Sequence, residues 1–371
     1  MKVLILSANT GQGHNSCAQA IREVFEAHGD SCDIVDVLGL VSQKISRVIS
    51  QSHEKTYRKT PGLSNAGYAF LKHHPSLFTP RKLKSKLMIM CCKQLKQRLS
   101  CGRYDSVICT HVIAAWILTA IVQEENLHLH TAFVATDYSC TPGINGTALD
   151  QYFIPHETLA RDFVDAGVSA EKLFPTGIPV RKAFVPVTDK ARRKEQFGIH
   201  PDHCHLLIMC GSMGCGPIPA LIHTITSSMP DCWEITVVCG TNEQLRNEMQ
   251  QEYQNHPAVH VRGYEKQMPA LLSSADLFLT KPGGLSTSEA AAAAVPMVLV
   301  DAVAGCEENN LHHFVKLGMA VTGDTTSEVA ELCLELMDEP ASLAGMRQRM
   351  ISNASVNAAE RIWNDMQRES E

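Results

Sequence analysis

Two stretches of the chain combine glycines with polar side chains directly after a short apolar run. The first is LSANTGQGHNS at residues 6–16, where a strand is predicted to pass into a helix. Its glycines are typical of a loop that cradles phosphate. His14, at the same strand-to-helix turn, is instead suited to general base catalysis, because the ordinary pKa of histidine lies near neutrality. The stretch by itself leaves both interpretations open.

The second stretch is LIMCGSMGCGPIPALI at residues 207–222. Gly211, Gly214 and Gly216 would let the backbone approach a ligand closely, and the helix that follows would offer N–H groups and the positive end of its dipole. These features suit a diphosphate. The stretch is neither a P-loop nor a clean GxGxxG motif, so a plain tight turn between strand and helix is an equal alternative.

A third stretch, LTKPGGLSTSEAAAAAVPMVLVD at residues 279–301, is more specific. Lys281 and Pro282 end a strand, two glycines make a turn, and residues 286–289 are predicted to open a helix whose N-terminus can hold phosphate. We place Glu289 in the first turn of that helix, where a carboxylate is favoured by the dipole and can accept hydrogen bonds from two ribose hydroxyls. The alternative role for Glu289 is a simple helix-start acid.

The next predicted strand runs into DAVAGCEENN at residues 301–310. Glu307, Glu308 and Asn309 would therefore lie on a loop at the same edge of the sheet. Several side chains that bind hydroxyl groups at one strand end suit a sugar ligand.

These motifs resemble a known family. In this order, GSMGCGPI, VVCGTNEQL, VRGYEKQM, ADLFLTKPGGLSTSEA and AGCEENN are similar to the donor-binding half of glycosyltransferase family 28. LSANTGQGHNSCAQAI and VATDYS resemble the monogalactosyldiacylglycerol synthase branch of that family, which includes bacterial diacylglycerol glucosyltransferases. The resemblance implies an α/β GT-B fold, with two Rossmann-like domains whose parallel sheets face each other across a cleft. It also implies a UDP-hexose donor and a diacylglycerol or glycosyl-diacylglycerol acceptor.

The resemblance further implies roles for individual residues. The diphosphate would be held by Gly211, Ser212, Met213, Gly214, Gly216, Gly283, Gly284, Leu285 and Ser286. Gly240, Gly263 and Tyr264 would border the uracil, Glu289 would bind the ribose, and Glu307 and Glu308 would face the hexose. The chain departs from the family at Cys306, where Gln is common in the loop that contacts the sugar. Glucose and galactose donors both stay open.

Transfer in this family inverts the sugar, which requires a base for the acceptor hydroxyl and stabilisation of the leaving UDP. His14 is the leading base, and Asp137, after the strand TAFVATD, is either the base itself or the residue that orients His14. We assign His111 to structure or to the lining of the acceptor site. The sequence contains no DxD motif, so we expect no metal and no cofactor beyond the donor. Backbone N–H groups and helix dipoles would stabilise the UDP.

Charge is concentrated in one segment. Residues 44–103 carry fourteen Lys and Arg against one acid, a local charge of +13 in a chain whose net charge is −6. Within it, RKLKSKLMIMCCKQLKQRL spaces Leu83, Leu87, Met90, Cys91, Leu95 and Leu99 like one face of a helix. We expect an anionic membrane surface as partner, contacted by Arg81, Lys82, Lys84 and Lys86. Packing of the apolar stripe on its own domain is the alternative, and no recognisable module supports nucleic-acid binding.

A chain of 371 residues is long enough for two domains. We predict an acceptor domain at 1–185 with the basic insertion at 42–103, a linker at 186–204, a donor domain at 205–350 and a helix at 351–371 that packs back on the first domain. The scattered cysteines indicate free thiols in a reducing compartment. The apolar runs are shorter than the about 20 residues of a membrane span. We therefore expect a cytoplasmic protein, bound peripherally to the cytoplasmic face of the membrane.

Two kinds of rival function stay open. One shares the fold: an N-acetylglucosaminyl transferase acting on a polyprenyl-linked acceptor, or a nucleotide-sugar epimerase. The other is a catalytically silent relative that binds lipid or nucleotide.

Overall fold

A computed structural model describes residues 1–9, 11–44, 46–48, 50, 86–125, 127, 129–302 and 305–368. The chain divides into two compact units, one formed by Met1–Arg181 with Ser355–Glu371 and the other by Lys182–Ala354. Arg81, Lys82 and Lys84 lie outside the described residues, and only the backbone of Lys86 is described. The membrane role of these four side chains therefore stays a prediction.

The first unit alternates strands and helices. Its elements are β1 (Lys2–Ser7), α1 (Gln12–Ala27), β2 (Ser31–Asp36), α2 (Lys86–Gly102), β3 (Ser106–Cys109), α3 (Val112–Glu125), β4 (His130–Val134), β5 (Gln151–Ile154), α4 (Ala160–Asp165) and β6 (Leu173–Pro175). Short 3-10 helices occupy Ile144–Gly146, Glu157–Leu159 and Ala170–Lys172.

The six strands form a parallel sheet in the order β2-β1-β3-β4-β5-β6. Ile5 in β1 stands beside Ile34 on one side and Ile108 on the other. The continuous apolar run of β1 is fully buried, as expected of a central parallel strand. Because the chain crosses from β1 to β2 on one side and then to β3 on the other, the carboxyl ends of β1 and β3 form the switch point where ligands bind in such sheets.

The second unit repeats this architecture. Its elements are α5 (Lys190–Gln196), β7 (Cys204–Met209), α6 (Ile218–Thr226), β8 (Trp233–Val238), α7 (Glu243–Glu252), β9 (Val259–Arg262), α8 (Met268–Ser274), β10 (Leu277–Thr280), α9 (Gly284–Ala292), β11 (Met297–Leu299), α10 (Cys306–Lys316), β12 (Ala320–Thr322), α11 (Thr326–Asp338) and α12 (Pro340–Asn353). The parallel sheet has the order β12-β11-β10-β7-β8-β9. Its switch point lies between β7 and β10.

The polar segment 186–204 is predicted to be a linker, but the structure shows that it is more than that. It contains α5 and belongs to the second unit. Lys190 and Lys194 place their ammonium groups 3.0 Å and 2.8 Å from the carboxylate of Asp276. Burial by itself would raise the pKa of Asp276, but the two lysines outweigh it and hold that pKa at about 2. Two lysines of this polar segment are thus held by one partly buried acid.

Helix α2 shows whether the apolar stripe of the basic segment contacts a membrane or packs on its own domain. Cys91, Leu95 and Leu99 are buried in the core of the first unit, so this part of the apolar stripe packs on its own domain, and the expectation that it faces a membrane is wrong. Lys96 forms ion pairs with Glu124 and Glu125. Part of the local positive charge is therefore neutralised within the unit.

The last helix, α13 (Ala358–Arg368), packs against α1 in the first unit. The ring of Trp363 stacks on His28 with centroids 3.7 Å apart, and Nε1 of Trp363 donates to Asp30 at 2.8 Å. Glu360 lies 2.7 Å from Nε2 of His28. An aromatic stack and two polar contacts thus hold α13 on the unit where the chain begins.

All fourteen cysteines are free thiols, as predicted. Among the helices of the described ranges, none has the length and the apolar character needed to cross a bilayer.

Candidate active site

His14 lies in the first turn of α1, directly after the carboxyl end of β1. Its Nδ1 is 2.7 Å from the backbone oxygen of Thr110, the residue that follows β3. A carbonyl oxygen can only accept a hydrogen bond, so Nδ1 carries the ring proton. In the neutral ring the basic lone pair is therefore on Nε2. This is the tautomer that a general base needs, and it is set by the backbone.

Two more side chains surround this imidazole. The Oγ1 of Thr136, after β4, lies 3.2 Å from Nδ1 of His14. The ring of His111, after β3, stands edge-on to it with the centroids 4.5 Å apart. The carboxyl ends of three strands thus converge on His14, and this convergence occurs at the switch point of the first sheet.

His111 also has a structural role. Its Nδ1 accepts the backbone N–H of Ile113 at 3.1 Å, at the start of α3. The proton of the neutral ring is therefore on Nε2. The structure supports the structural part of the predicted role, and the acceptor lining stays a prediction.

Asp137 follows Thr136 at the end of β4 and is partly buried. The structure places it on the loop next to the residue that contacts His14. Its role as base or orienting group stays a prediction. The orienting contact from Thr110 was missed by sequence reasoning, because a backbone carbonyl leaves no signature in the residue types.

The first glycine of NTGQGHN does not adopt a torsion that is reserved for glycine. Gly11, the residue before α1, has a φ of 173°, an extended conformation that any residue adopts. A Cβ added to it would meet no described atom within 4 Å. The torsion at Gly11 does not require glycine. Because glycine has no side chain, it leaves the space at the start of α1 open.

In the second unit, two glycines are needed where the loops after β7 and β8 touch. A Cβ on Gly240 would lie 2.1 Å from the oxygen of Ser212, and one on Gly214 would lie 2.3 Å from the oxygen of Cys239. Both glycines have a φ of +57°. Thr241 also donates its N–H to Ser212 at 2.9 Å. Gly214 and Gly240, assigned above to diphosphate and uracil, therefore have a packing role that explains them without a ligand.

Gly211 and Gly283 behave differently. They follow the adjacent strands β7 and β10, and a Cβ on either would meet no described atom within 4 Å. Their backbones thus border open space at the switch point of the second sheet, where a ligand can approach most closely. Gly211 has a φ of +70°, and Gly216, which closes the same loop, has a φ of +108°, so the backbone torsion favours glycine at both positions.

Two backbone carbonyl groups in the turn after β10 accept hydrogen bonds that stabilise the turn. The N–H of Gly283 donates to the oxygen of Lys281 at 2.8 Å, and the oxygen of Pro282 accepts from Nδ2 of Asn310 at 2.9 Å. Helix α9 begins at Gly284, directly after this turn, and the first N–H groups of the helix are those of Gly284, Leu285 and Ser286. By position these N–H groups have no acceptor within the helix, which is the arrangement that binds anions.

Two placements of acidic residues were wrong. Glu289 is the sixth residue of α9, because the helix starts at Gly284, and so it lies one turn further along than we predicted. Glu307 and Glu308 are in the first turn of α10 and not on a loop. Glu308 accepts the N–H of Gly305 at 3.3 Å and thereby caps its own helix. Gly305, with a φ of +100°, ends the loop earlier than the sequence indicated.

Gly263 and Tyr264 follow β9. Gly263 packs against Arg246, whose Nη1 would be 3.2 Å from an added Cβ. Tyr264 is 60% exposed. Their predicted position beside the uracil stays a prediction.

Three residues of this region were not proposed from the sequence. Lys281 is 5% exposed and pairs with Asp301 across 3.1 Å, and Asn310 is fully buried on the turn after β10. A buried lysine at the end of an apolar strand was the available signal. No group of three or more His, Cys, Asp or Glu side chains within the described ranges is arranged to hold a metal ion.

Comparison with known proteins gives two family matches. Residues 14–180 match the family described as monogalactosyldiacylglycerol (MGDG) synthase, and residues 205–362 match the glycosyltransferase family 28 C-terminal domain. A processive diacylglycerol beta-glucosyltransferase of Bacillus mycoides (strain KBAB4) is 29% identical over 354 residues, covering 95% of this chain and 89% of that protein. The enzyme of the same name from Bacillus thuringiensis (strain Al Hakam) is 29% identical over 364 residues, covering 97% and 92%.

Solved structures share the fold at low identity. MurG of Acinetobacter baumannii superposes with a TM-score of 0.65 at 14% identity, covering 99% of each chain. UDP-GlcNAc 2-epimerase of Neisseria meningitidis, bound to UDP-GlcNAc, has a TM-score of 0.63 at 14% identity, covering 99% and 100%. Anabaena HepE in complex with UDP-glucose has a TM-score of 0.59 at 14% identity, covering 99% of each chain.

The predicted GT-B-like α/β class, with two parallel sheets, is confirmed by these neighbours. The fold itself is shared by transferases and epimerases, so the family comes from the sequence matches. With an MGDG synthase match in its first part and the family 28 donor domain in its second, the chain belongs to the monogalactosyldiacylglycerol synthase branch of glycosyltransferase family 28.

Proposed function

We propose that this protein transfers a hexose, glucose or galactose, from a UDP-hexose to the hydroxyl of diacylglycerol or of a glycosyl-diacylglycerol, with inversion at the sugar. The relatives that match nearly the whole chain are named diacylglycerol glucosyltransferases, and the family 28 domain is a UDP-sugar-dependent transferase domain. One observation carries the chemistry: Nδ1 of His14 donates to Thr110, which leaves the basic lone pair of the ring on Nε2 at a switch point.

The base step follows from this tautomer. Nε2 of His14 takes the proton of the acceptor hydroxyl, and the oxygen attacks the anomeric carbon as the bond from that carbon to the UDP oxygen breaks. The imidazolium that forms is stabilised on its Nδ1 side by the carbonyl of Thr110 and the hydroxyl of Thr136. The products are the glycolipid and UDP.

The donor binds to the second unit in this proposal. Gly211 and Gly283 admit the diphosphate to the backbone, and the first N–H groups of α9 neutralise the charge that develops on the leaving group. The sequence contains no DxD motif, and backbone donors perform the task that a bound metal has in other transferases. We therefore propose that the reaction needs neither a divalent ion nor a further cofactor.

The acceptor is taken from an anionic membrane surface, at the cytoplasmic face. Support comes from the basic segment 44–103 and from the start of α2, where Ile89 and Met90 are 60% and 49% exposed. Exposed apolar side chains beside clustered lysines suit the boundary between headgroups and acyl chains. Met90 belongs to the stripe assigned from the sequence but is exposed, unlike Cys91 and Leu95, and Ile89 lies beside it in the chain. The contact therefore uses the exposed start of α2 and not the buried part of the stripe.

The decisive experiment uses vesicles that contain diacylglycerol, with UDP-glucose, UDP-galactose and UDP-GlcNAc supplied one at a time. We expect hexosyl-diacylglycerol, identified by mass spectrometry with sugar analysis, from one or both hexose donors. A matched incubation with His312→Ala, which changes an exposed histidine of α10, should give the same product.

Each rival predicts a different result. An epimerase would convert the sugar of UDP-GlcNAc without lipid. An N-acetylglucosaminyl transferase would use UDP-GlcNAc and require a polyprenyl-linked acceptor. Binding of UDP with no glycolipid and no change in any donor would identify a catalytically silent relative.

A further inference from the structure

Lys281 is a buried cation at the switch point of the second sheet. It follows β10, its side chain is 6% exposed, and its Nζ lies 3.1 Å from Oδ2 of Asp301, which follows β11. A buried ammonium group is stable only beside a compensating negative charge. Asp301 is one group that supplies this charge.

The Lys281–Asp301 pair adjoins the glycine loop after β7. A Cβ added to Gly216 would be 3.3 Å from Oδ2 of Asp301 and 3.6 Å from Sγ of Cys210. Burial raises the pKa of Cys210 to about 12, and the charge of Lys281 acts against that rise. The ammonium group is therefore within electrostatic range of the residue that precedes Gly211. The loops after β7, β10 and β11 all meet at this pair.

The two partners differ in their access to water. The side chain of Asp301 is 47% exposed, whereas that of Lys281 is 6% exposed. The carboxylate can return to water when the contact opens, whereas the ammonium group stays buried and would be stabilised there by an incoming anion. Asp301 also has a φ of +52°, a left-handed conformation that is unfavourable for a residue with a side chain. Such strain persists where the surroundings determine the backbone, which is common at binding sites.

We propose that Lys281 exchanges partners during the reaction: it pairs with Asp301 before the donor arrives and with the diphosphate of the UDP-sugar when the donor is bound. This inference rests on the proposed function. Asp301 then acts through Lys281, as a competing anion that holds the cation in place and weakens diphosphate binding. Because uridine lacks the diphosphate, Lys281 is a positive side chain at this switch point that distinguishes UDP from uridine.

The test is calorimetric titration of the full chain with UDP, UMP and uridine. Lys281→Met should weaken UDP binding by about 10- to 100-fold, as for loss of a hydrogen bond to a charged group, and should change uridine binding by less than about twofold. Asp301→Asn should do the opposite and tighten UDP binding by about three- to tenfold, because the competing charge is gone. Asparagine tolerates the left-handed conformation of Asp301, so the backbone is retained.

The double variant distinguishes exchange from a general effect of charge. In the Lys281→Met background, Asp301→Asn should no longer tighten UDP binding, because the two residues form one coupled pair. Lys316→Met, which removes an exposed lysine at the end of α10, is the matched control and should leave all three affinities unchanged. Thermal unfolding of each variant checks that it is folded, and Lys281→Arg keeps the charge should Lys281→Met fail to fold.

Three results would overturn the proposal. One is an equal loss of UDP and uridine affinity in Lys281→Met, which would make the lysine purely structural. Another is weaker UDP binding by Asp301→Asn, and the third is tightening by Asp301→Asn that persists in the double variant. Failure of the unmodified protein to bind UDP at all would instead contradict the proposed function, so the two ideas fail in different experiments.

Discussion

The switch points of the two sheets are built in different ways. At the first, several groups converge on one imidazole: the carbonyl of Thr110, the hydroxyl of Thr136 and the ring of His111 all contact His14. At the second, the backbone itself is presented, through glycines and the start of α9. A single reactive side chain suits proton transfer, whereas several backbone N–H groups at a helix start suit a diffuse negative charge. The same architecture therefore supports two kinds of chemistry.

The difference predicts that the first site fails through the loss of one side chain. His14→Ala should lower kcat by about 10²- to 10⁴-fold, the usual contribution of a general base, and leave UDP affinity within about twofold of the original. Turnover and UDP titration of the same preparation provide the check, with His312→Ala as control. Loss of UDP binding would mean that the loop at residues 6–16 serves the donor, which would remove the contrast between the two sites.

The second site should fail through its backbone. Gly240→Ala would put a Cβ 2.1 Å from the oxygen of Ser212 at a φ of +57°. We expect a loss of about 3 kcal/mol of unfolding free energy from overlap and left-handed strain, with weaker UDP binding as a consequence. The matched variant is Gly283→Ala, whose φ of −70° is ordinary and whose Cβ meets open space. It should retain stability and lose UDP affinity, and equal stability losses in the two variants would contradict the distinction.

Asp276→Asn tests whether stability in the second unit can be lost without the donor site. Asp276 precedes β10, at the opposite edge of the sheet from the glycine loops. We expect about 2 kcal/mol less unfolding free energy at neutral pH, since each unit of pKa is worth about 1.4 kcal/mol. UDP affinity should be unchanged at temperatures where the variant is folded.

The same carboxylate sets a pH dependence. Its pKa is about 2 in the folded protein against an ordinary value of 3.8. Because the folded value is the lower one, its stabilisation is present above about pH 4 and is lost as the pH falls toward 2. Chemical denaturation across this range should show a smaller loss of stability in Asp276→Asn than in the unmodified protein. Parallel curves would show that the lysine pair contributes nothing to acid stability.

A smaller effect is expected from Thr136→Val, which removes the hydroxyl 3.2 Å from Nδ1 of His14. The carbonyl of Thr110 remains, so the tautomer is kept and only part of the support for the imidazolium is lost. We expect a fall in kcat of about three- to tenfold, the value of one hydrogen bond, with KM for the donor unchanged. A change in KM alone would move Thr136 from the base to substrate binding.

Chelation should have the smallest effect of all. If backbone N–H groups and Lys281 carry the charge of the leaving UDP, treatment with EDTA followed by assay in chelated buffer should leave turnover within about twofold. A strict requirement for a divalent cation would show that the backbone N–H groups and Lys281 do not suffice to carry that charge.

Sequence reasoning was most successful where local pattern and chemistry coincide. The apolar runs at the starts of residues 6–16 and 207–222 indicated strands that pass into helices, the family resemblance implied two parallel sheets, and His14 was singled out by its place after a strand. It was less successful at helix starts. Glu289, Glu307 and Glu308 were misplaced by a few residues, because the true starts at Gly284 and Cys306 depend on turn geometry that residue types do not fix.

The amphipathic stripe of α2 shows a second limit. Its spacing predicted an apolar face correctly, but the same pattern suits a membrane or a protein core. Cys91, Leu95 and Leu99 are buried in the core of the first unit. Helix periodicity shows that a face is apolar, but it does not show which apolar surface covers that face.

By itself, the sequence determined the class of fold, the family and the residues able to do acid–base or phosphate chemistry, since these depend on residue types and on short spacings. Only the tertiary structure decided which partner each residue has. Thr110 sets the tautomer of His14 from 96 residues away, and Asp301 meets Lys281 only because β10 and β11 are neighbours in the sheet. Contacts between residues distant in the chain are set by strand order and register, which no local pattern records.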